Sequence, residues 1–246
     1  MYMTTPEGTT KTLWEEINSV PHVLIAGASG SGKSVAIHGL ISNLLYRFPD
    51  PNRTDGAQLI LIDPKRVELS KYKVLPHTVG YIGGFNQEGW ANILDRAVKI
   101  MDARYTIMEQ QGVNLWRGGD LYIIIDEFAA IITNDLRGHP CERSIQRLSC
   151  EGRAAKVHLV IATQTPKAEV LPTRIRCNLD WKLALRTDKA SDSRIIMDRN
   201  GCEVLPTFGQ GYWVKPGSCE RYRIPYTEEA ETDRLIRWWK TEGITA

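Results

Sequence analysis

The chain has 246 residues, 42% of them hydrophobic and 24% charged, with a formal net charge of +2. That length suits one sizeable core and leaves too little for two large domains. The small net charge neither demands nor rules out a polyanionic partner, so any basic surface has to be local. No apolar run approaches the roughly 20 residues that cross a bilayer. The opening MYMTTPEGTTKTLWEEI has no signal-peptide core, so a cytoplasmic chain without a membrane segment is expected. The five cysteines are odd in number and form no C-x-x-C, and the five histidines show no ligand spacing beside them. A reduced, intracellular protein is expected, not a disulfide scaffold or zinc module.

Residues 1–20 read as a short lead-in. HVLIA (22–26) is a run of the kind buried on both faces of a sheet. Ile37, Leu40, Ile41, Leu44, Leu45 and Phe48 then form one stripe of a helix that Pro49 stops. QLILI (58–62) predicts the next strand. Trp90, Ile93, Leu94, Ala97, Val98, Met101, Tyr105 and Met108 recur at i, i+3, i+4 spacing, which predicts a helix over 87–111 ending at Gly112. LYIII (121–125), VHLVI (157–161) and WKLAL (181–185) predict strands, and 141–155, with Ile145 and Leu148, a helix. Thr227, followed by Glu228 and Glu229, starts a last helix that carries Leu235, Ile236 and Trp239 and closes near Gly243. Such alternation predicts an α/β fold, a mostly parallel sheet with helices on both faces, as a single domain over 1–246.

GASGSGKS (27–34) fits G-x-x-x-x-G-K-[ST], directly after a predicted strand and directly before a predicted helix. Gly27, Ala28, Ser29, Gly30, Ser31 and Gly32 would turn backbone N–H groups around the phosphates of ATP, the glycines supplying conformations closed to other residues. Lys33 would reach the β- and γ-phosphates, and Ser34 would ligate Mg²⁺. In YIIIDE (122–127), four apolar residues set Asp126 at the C-terminal end of a buried strand, where open α/β sheets bind ligands. Asp126 can hold the Mg²⁺ shell, and Glu127 can take a proton from an attacking water. The plain alternatives are a glycine-rich turn without a ligand and an acidic pair on a solvated rim. Strand, Lys33 and Ser34 standing in register speak against both. QLILID (58–63) falls between the two motifs in the chain, and VHLVIATQ (157–164) ends on Gln164, whose amide could touch γ-phosphate and lytic water. A strand inserted between the phosphate loop and the DE strand, with a glutamate base, resembles the RecA-like ATPases more than the small-molecule kinases.

PHVLIAGASGSGKSV (21–35), IDPKRVELSKYKVLPH (62–77), YIIIDEFAAI (122–131), GRAAKVHLVIATQTP (152–166) and DSRIIMD (192–198) together resemble the motor domain of FtsK/SpoIIIE-type DNA translocases. The resemblance runs from residue 21 to the C-terminal helix. It implies a RecA-like P-loop ATPase that forms a homo-oligomeric, hexameric ring around double-stranded DNA and moves along it as ATP turns over. It also implies that Arg153 is offered to a neighbouring subunit's phosphoryl group, although a cation at a helix C-terminus is the plainer reading. In the family PKAEVLPTRIR faces the pore, so Lys167, Arg174 and Arg176 would hold DNA phosphates without reading bases, the alternative being a solvated surface. Arg137, in the loop 133–143, is a second candidate. Lys65, with Glu68, belongs either to the inter-subunit site or to the folding of its own loop. Gly211-Tyr212-Trp213 aligns with a family strand near the bound base, where Tyr212 or Trp213 would pack unless it is core.

The sequence also departs from the family. Thr165 stands where members carry an arginine after the ATQ motif. A bare motor is expected, lacking the membrane segment, long linker and winged-helix reader of longer members. Two other functions compete: a related ring ATPase that moves protein, as in type VII secretion, or couples conjugative DNA transfer; and a module that uses ATP only to assemble. A single ATPase module favours DNA over secretion, and a placed Glu127 argues against pure assembly.

Overall fold

The computed structural model describes residues 20–206, 209–226 and 228–241. Thr227, the proposed start of the last helix, lies outside them, as do Gly243 and residues 1–19 of the lead-in. Eight strands, β1 (His22–Ala26), β2 (Ala57–Asp63), β3 (Thr78–Gly83), β4 (Asp120–Ile125), β5 (Val157–Thr163), β6 (Trp181–Leu185), β7 (Gln210–Lys215) and β8 (Ser218–Arg223), form one sheet in the order β3-β2-β4-β5-β1-β6-β7-β8. The six strands from β3 to β6 in that order are parallel, and β7 and β8 add an antiparallel hairpin at one edge. The strand inserted between β1 and β4 is therefore β5. QLILID, which separates the motifs in the chain, lies on the far side of β4.

Period-2 alternation sends each strand's apolar side chains to two cores. On one face Leu24, Ile62, Ile123 and Leu159 pack against Trp90, Leu94 and Met101 of α2 (Gln87–Gln111) and Ile145 and Leu148 of α4 (Pro140–Glu151). On the other, Val23, Ile25, Leu61, Ile124 and Val160 meet Ile37, Ile41, Leu44 and Leu45 of α1 (Lys33–Arg47) and Trp239 of α7 (Glu229–Thr241). The shorter helices α3 (Phe128–Thr133), α5 (Thr173–Arg176) and α6 (Ala190–Met197) cover the first face. No described helix is long and apolar enough to cross a membrane.

Helix ends follow local chemistry. The Asn86 side chain accepts the Gly89 N–H at 2.8 Å to start α2, and Gly112, at φ 62°, ends it where the spacing predicts. By contrast α4 stops at Glu151, four residues short of the predicted limit. A Cβ on Gly152 would stand 2.4 Å from the Val157 carbonyl, and the chain turns through Lys156 at φ 50° to enter β5. At its other end Asp135 caps α4, accepting the N–H groups of Cys141 at 3.2 Å and Glu142 at 3.0 Å. Trp213 is core, 3% exposed with its ring centroid 5.2 Å from that of Trp181. Tyr212 points to the opposite face, beneath the Arg199 guanidinium.

Candidate nucleotide-hydrolysis site

The C-terminal ends of β1, β2, β4, β5 and β6 share one edge of the sheet, and the motif residues gather there. The phosphate loop is pinned at that edge by backbone bonds from Gly27 N–H to Thr163 O (3.3 Å) and from Ala28 N–H to Arg186 O (2.8 Å). Gly30 (φ 73°) and Gly32 (φ 106°) occupy left-handed conformations, as a loop that turns its N–H groups inward requires. Gly27 is needed for another reason: its φ is ordinary, but a Cβ would lie 2.7 Å from both the Leu185 Cβ and the Ser31 Oγ. Ser31 Oγ is itself buried without a hydrogen-bond partner among the described residues. An orphaned hydroxyl inside a glycine-shaped cradle fits a ligand rich in acceptor oxygens, which is what a triphosphate is.

Lys33 folds over the loop, its Nζ donating to Gly27 O at 3.0 Å and Ala28 O at 3.3 Å. Burial pushes its ammonium pKa down, against the nearby charges of Glu127 and Asp126. Ser34 Oγ donates to Glu68 Oε1 at 2.6 Å, and Glu68 Oε2 meets His38 Nε2 at 3.1 Å. The His38 and Ser34 bonds hold the Glu68 carboxyl below its usual range. Glu68 sits on the 63–69 loop, which Asp63 ties together by accepting the N–H groups of Lys65 (3.2 Å) and Leu69 (2.9 Å).

Asp126 and Glu127 leave β4 together. Asp126 is 8% exposed and lies beside Asp63 in register, since Ile62 pairs with Ile125. Burial, reinforced by the charges of Asp63, Glu68 and Glu127, pushes its carboxyl up to about 6. Ser34, Asp126 and, through Ser34, Glu68 are the groups that would hold Mg²⁺, whose charge would neutralise the transferring phosphates. Glu127 adopts φ 59°, ψ 64°, a left-handed conformation that costs a non-glycine residue about 1 kcal/mol. The turn aims its carboxylate back at β5: Oε1 accepts the Gln164 N–H at 3.2 Å, with the Thr163 hydroxyl 3.5 Å away. Its other oxygen takes Lys65 Nζ at 2.9 Å. Gln164 is exposed at the end of β5, between the phosphate loop and Glu127. Lys33, Ser34, Asp126, Glu127 and Gln164 are thus brought to one edge. The loop contacts of Lys65 and Glu68, from 62 and 34 residues away in the chain, belong with them.

The raised Asp126 carboxyl has a testable sign. Its folded pKa lies above the unfolded one, so the folded chain binds the proton more tightly, and ionisation costs stability as pH rises from about 4 through about 6. Asp126→Asn is therefore expected to raise the melting temperature of the ligand-free protein at pH 7.5, by an amount corresponding to roughly 2–3 kcal/mol. The gain should shrink towards pH 5, and scanning calorimetry at the two pH values checks it.

The other predicted residues lie elsewhere. Arg153 is exposed in the turn before β5, whereas Gln164 lies just past its end. At about 3.3 Å per residue the strand separates them by roughly 20 Å, so Arg153 cannot reach its own phosphate loop. Lys167 is exposed in the loop after β5. Arg174 pairs with Glu142 of α4, and Arg176 donates to Ile195 O at 2.9 Å, so both guanidiniums are already oriented by the fold. Arg137 is exposed at the tip between α3 and α4. Thr165, where the family arginine would stand, donates its N–H to Thr163 Oγ1 at 3.1 Å.

The FtsK/SpoIIIE family model matches residues 4–120, through the phosphate loop and the 63–69 loop. Beyond that segment, DNA translocase FtsK 2 of Ralstonia nicotianae is 31% identical over 268 residues, 95% of this chain and 33% of the relative. DNA translocase FtsK of Shewanella oneidensis is 29% identical over 266 residues, 93% of this chain and 28% of the relative. Over residues 4–120 the chain matches the FtsK/SpoIIIE family. It spans about a third of the length of these relatives. Among solved structures, the pCW3 conjugation coupling protein TcpA, determined with ATPγS, superposes with a TM-score of 0.78 at 20% identity over 93% of this chain and 67% of its own. The cytoplasmic domain of the Thermomonospora curvata type VII secretion ATPase EccC gives 0.78 at 22% identity, over 98% and 31%. The chain thus has the P-loop ATPase fold that its strand order and phosphate loop indicate.

Proposed function

We propose that this domain is the motor of a cytoplasmic double-stranded DNA translocase, one RecA-like unit per chain, working as a homo-oligomeric hexameric ring fuelled by Mg²⁺·ATP. The observation that carries the reading is likeness along 93–95% of the chain to proteins named DNA translocases, coinciding with a hydrolytic constellation that keeps both Asp126 and Glu127. In this mechanism Gly27 to Gly32 wrap the phosphates, Lys33 releases its loop carbonyls to contact them, and Ser34 with Asp126 would hold Mg²⁺, which would supply positive charge beside the phosphates. Glu127 takes the proton of the attacking water, and Gln164, bonded to Glu127 through its own N–H, carries the change to β5. Arg153, too far from its own site, serves the neighbouring one, which is why a ring is required. Lys167, Arg174 and Arg176, on the segment after β5, grip duplex phosphates.

A phosphate grip is salt-sensitive. Linear duplex is expected to raise ATP turnover, with the stimulation falling as salt goes from about 50 to about 200 mM, and Lys167→Ala should flatten the salt slope of duplex binding by about one. Coupled-enzyme ATPase assays and duplex titrations at several salt concentrations check both. Turnover indifferent to duplex but raised by a secretion-signal peptide would move the domain to the protein-moving reading; stimulation confined to a conjugative substrate would move it to DNA transfer.

A further inference from the structure

The hydrolytic glutamate has two carboxylate oxygens, and the fold treats them differently. Oε1 is bonded to the Gln164 N–H on the β5 side, the side on which β1 and the phosphate loop lie. Oε2 has no backbone bond; it is met instead by Lys65 Nζ at 2.9 Å, from the loop that follows β2. Glu127 is 9% exposed at its side chain and Lys65 47%, so the carboxylate is fixed by its surroundings while the lysine can leave into solvent. Lys65 is itself placed by the Asp63 bond to its N–H. Three residues on, Glu68 holds the hydroxyl of Ser34 at 2.6 Å. One short loop thus touches both the metal-binding hydroxyl and the proton acceptor.

We propose that Lys65 is a positioning residue that occupies the Glu127 oxygen left free by the backbone, and that this pair opens before water is activated. The lever is the loop itself: a cation ligated by the Ser34 oxygen would draw towards it the Glu68 carboxylate bonded to that hydroxyl, and movement of Glu68 would carry Lys65 with it. Lys65 is then a brake on idle hydrolysis, distinct from the inter-subunit and purely folding roles its sequence leaves open. The proposal rests on Glu127 as the base, and its first test does not depend on that reading or on DNA.

Lysine acetylation by acetic anhydride, followed by peptide mass spectrometry on the whole chain, reads the pair directly. Lys65 should be modified several-fold more slowly in the wild type than in Glu127→Ala, and ATPγS with Mg²⁺ should raise the wild-type rate towards that of Glu127→Ala. Equal rates in the two ligand-free proteins, or no rise with nucleotide, overturn the proposal. Turnover supplies the second reading. Lys65→Met should raise kcat without duplex several-fold at unchanged KM, while Lys65→Arg, which keeps the pair, should restore the low rate. A kcat of Lys65→Met equal to or below that of the wild type overturns the brake. A wild type indifferent to duplex would instead count against the translocase reading and leave these comparisons intact.

Discussion

Glu127→Gln is expected to lower ATP turnover by about 10²–10⁴-fold, the usual contribution of a placed general base, while ATPγS binding changes little. The reason lies in what glutamine keeps. It retains the length of the side chain and one oxygen that can accept the Gln164 N–H, which keeps the left-handed turn at 127, while its NH2 replaces the oxygen that meets Lys65. It loses the ability to take a proton and, with the negative charge, the ion pair to Lys65. Steady-state ATPase assays beside equilibrium nucleotide binding separate the two effects. Rapid turnover by Glu127→Gln would mean that water is activated elsewhere.

The second large effect concerns Arg153. A cation supplied to the transferring phosphoryl group from a neighbour is worth about 10³–10⁵ in kcat, so Arg153→Ala should be nearly inactive although it binds nucleotide normally. The decisive measurement is a mixture. In a ring assembled from Arg153→Ala and Glu127→Gln subunits, some sites combine an intact Glu127 from the first with an intact Arg153 from the second, and turnover should reappear. A mixture as inactive as its components would confine Arg153 to its own chain, as a surface cation in the turn that follows α4.

The five strands with long apolar runs were legible from residue types alone, and β1 and β6 coincide with their predicted limits. Those strands are central and buried on both faces, so hydrophobicity and strand character coincide. The edge strands were not legible in the same way. TVGYIG of β3 is half-exposed along its whole length and SCERYR of β8 is polar, because a strand with one free edge and a wet face needs no apolar run. The six-residue α3 and four-residue α5 lack the length for a periodic signal and are held by packing on the first core. The phosphate loop and the Asp126–Glu127 pair could be read because consecutive residues build each of them. The bonds of Ser34 to Glu68 and of Glu127 to Lys65 join segments that only the sheet order brings together, and no local pattern announces them.

The phosphate loop is also sewn to the hairpin edge of the sheet. Gly209 donates its N–H to Ser31 O at 2.9 Å, and Ile224, just past β8, donates to Gly209 O at 2.8 Å. A displacement of the loop would be relayed outward through peptide groups that every amino acid except proline possesses, so exchanging other side chains along the hairpin would leave the relay working. Its vulnerable points are the glycines themselves. A methyl group on Gly32 would press to 3.1 Å from the Gly209 Cα, and that single carbon would jam the hinge between fuel pocket and rim.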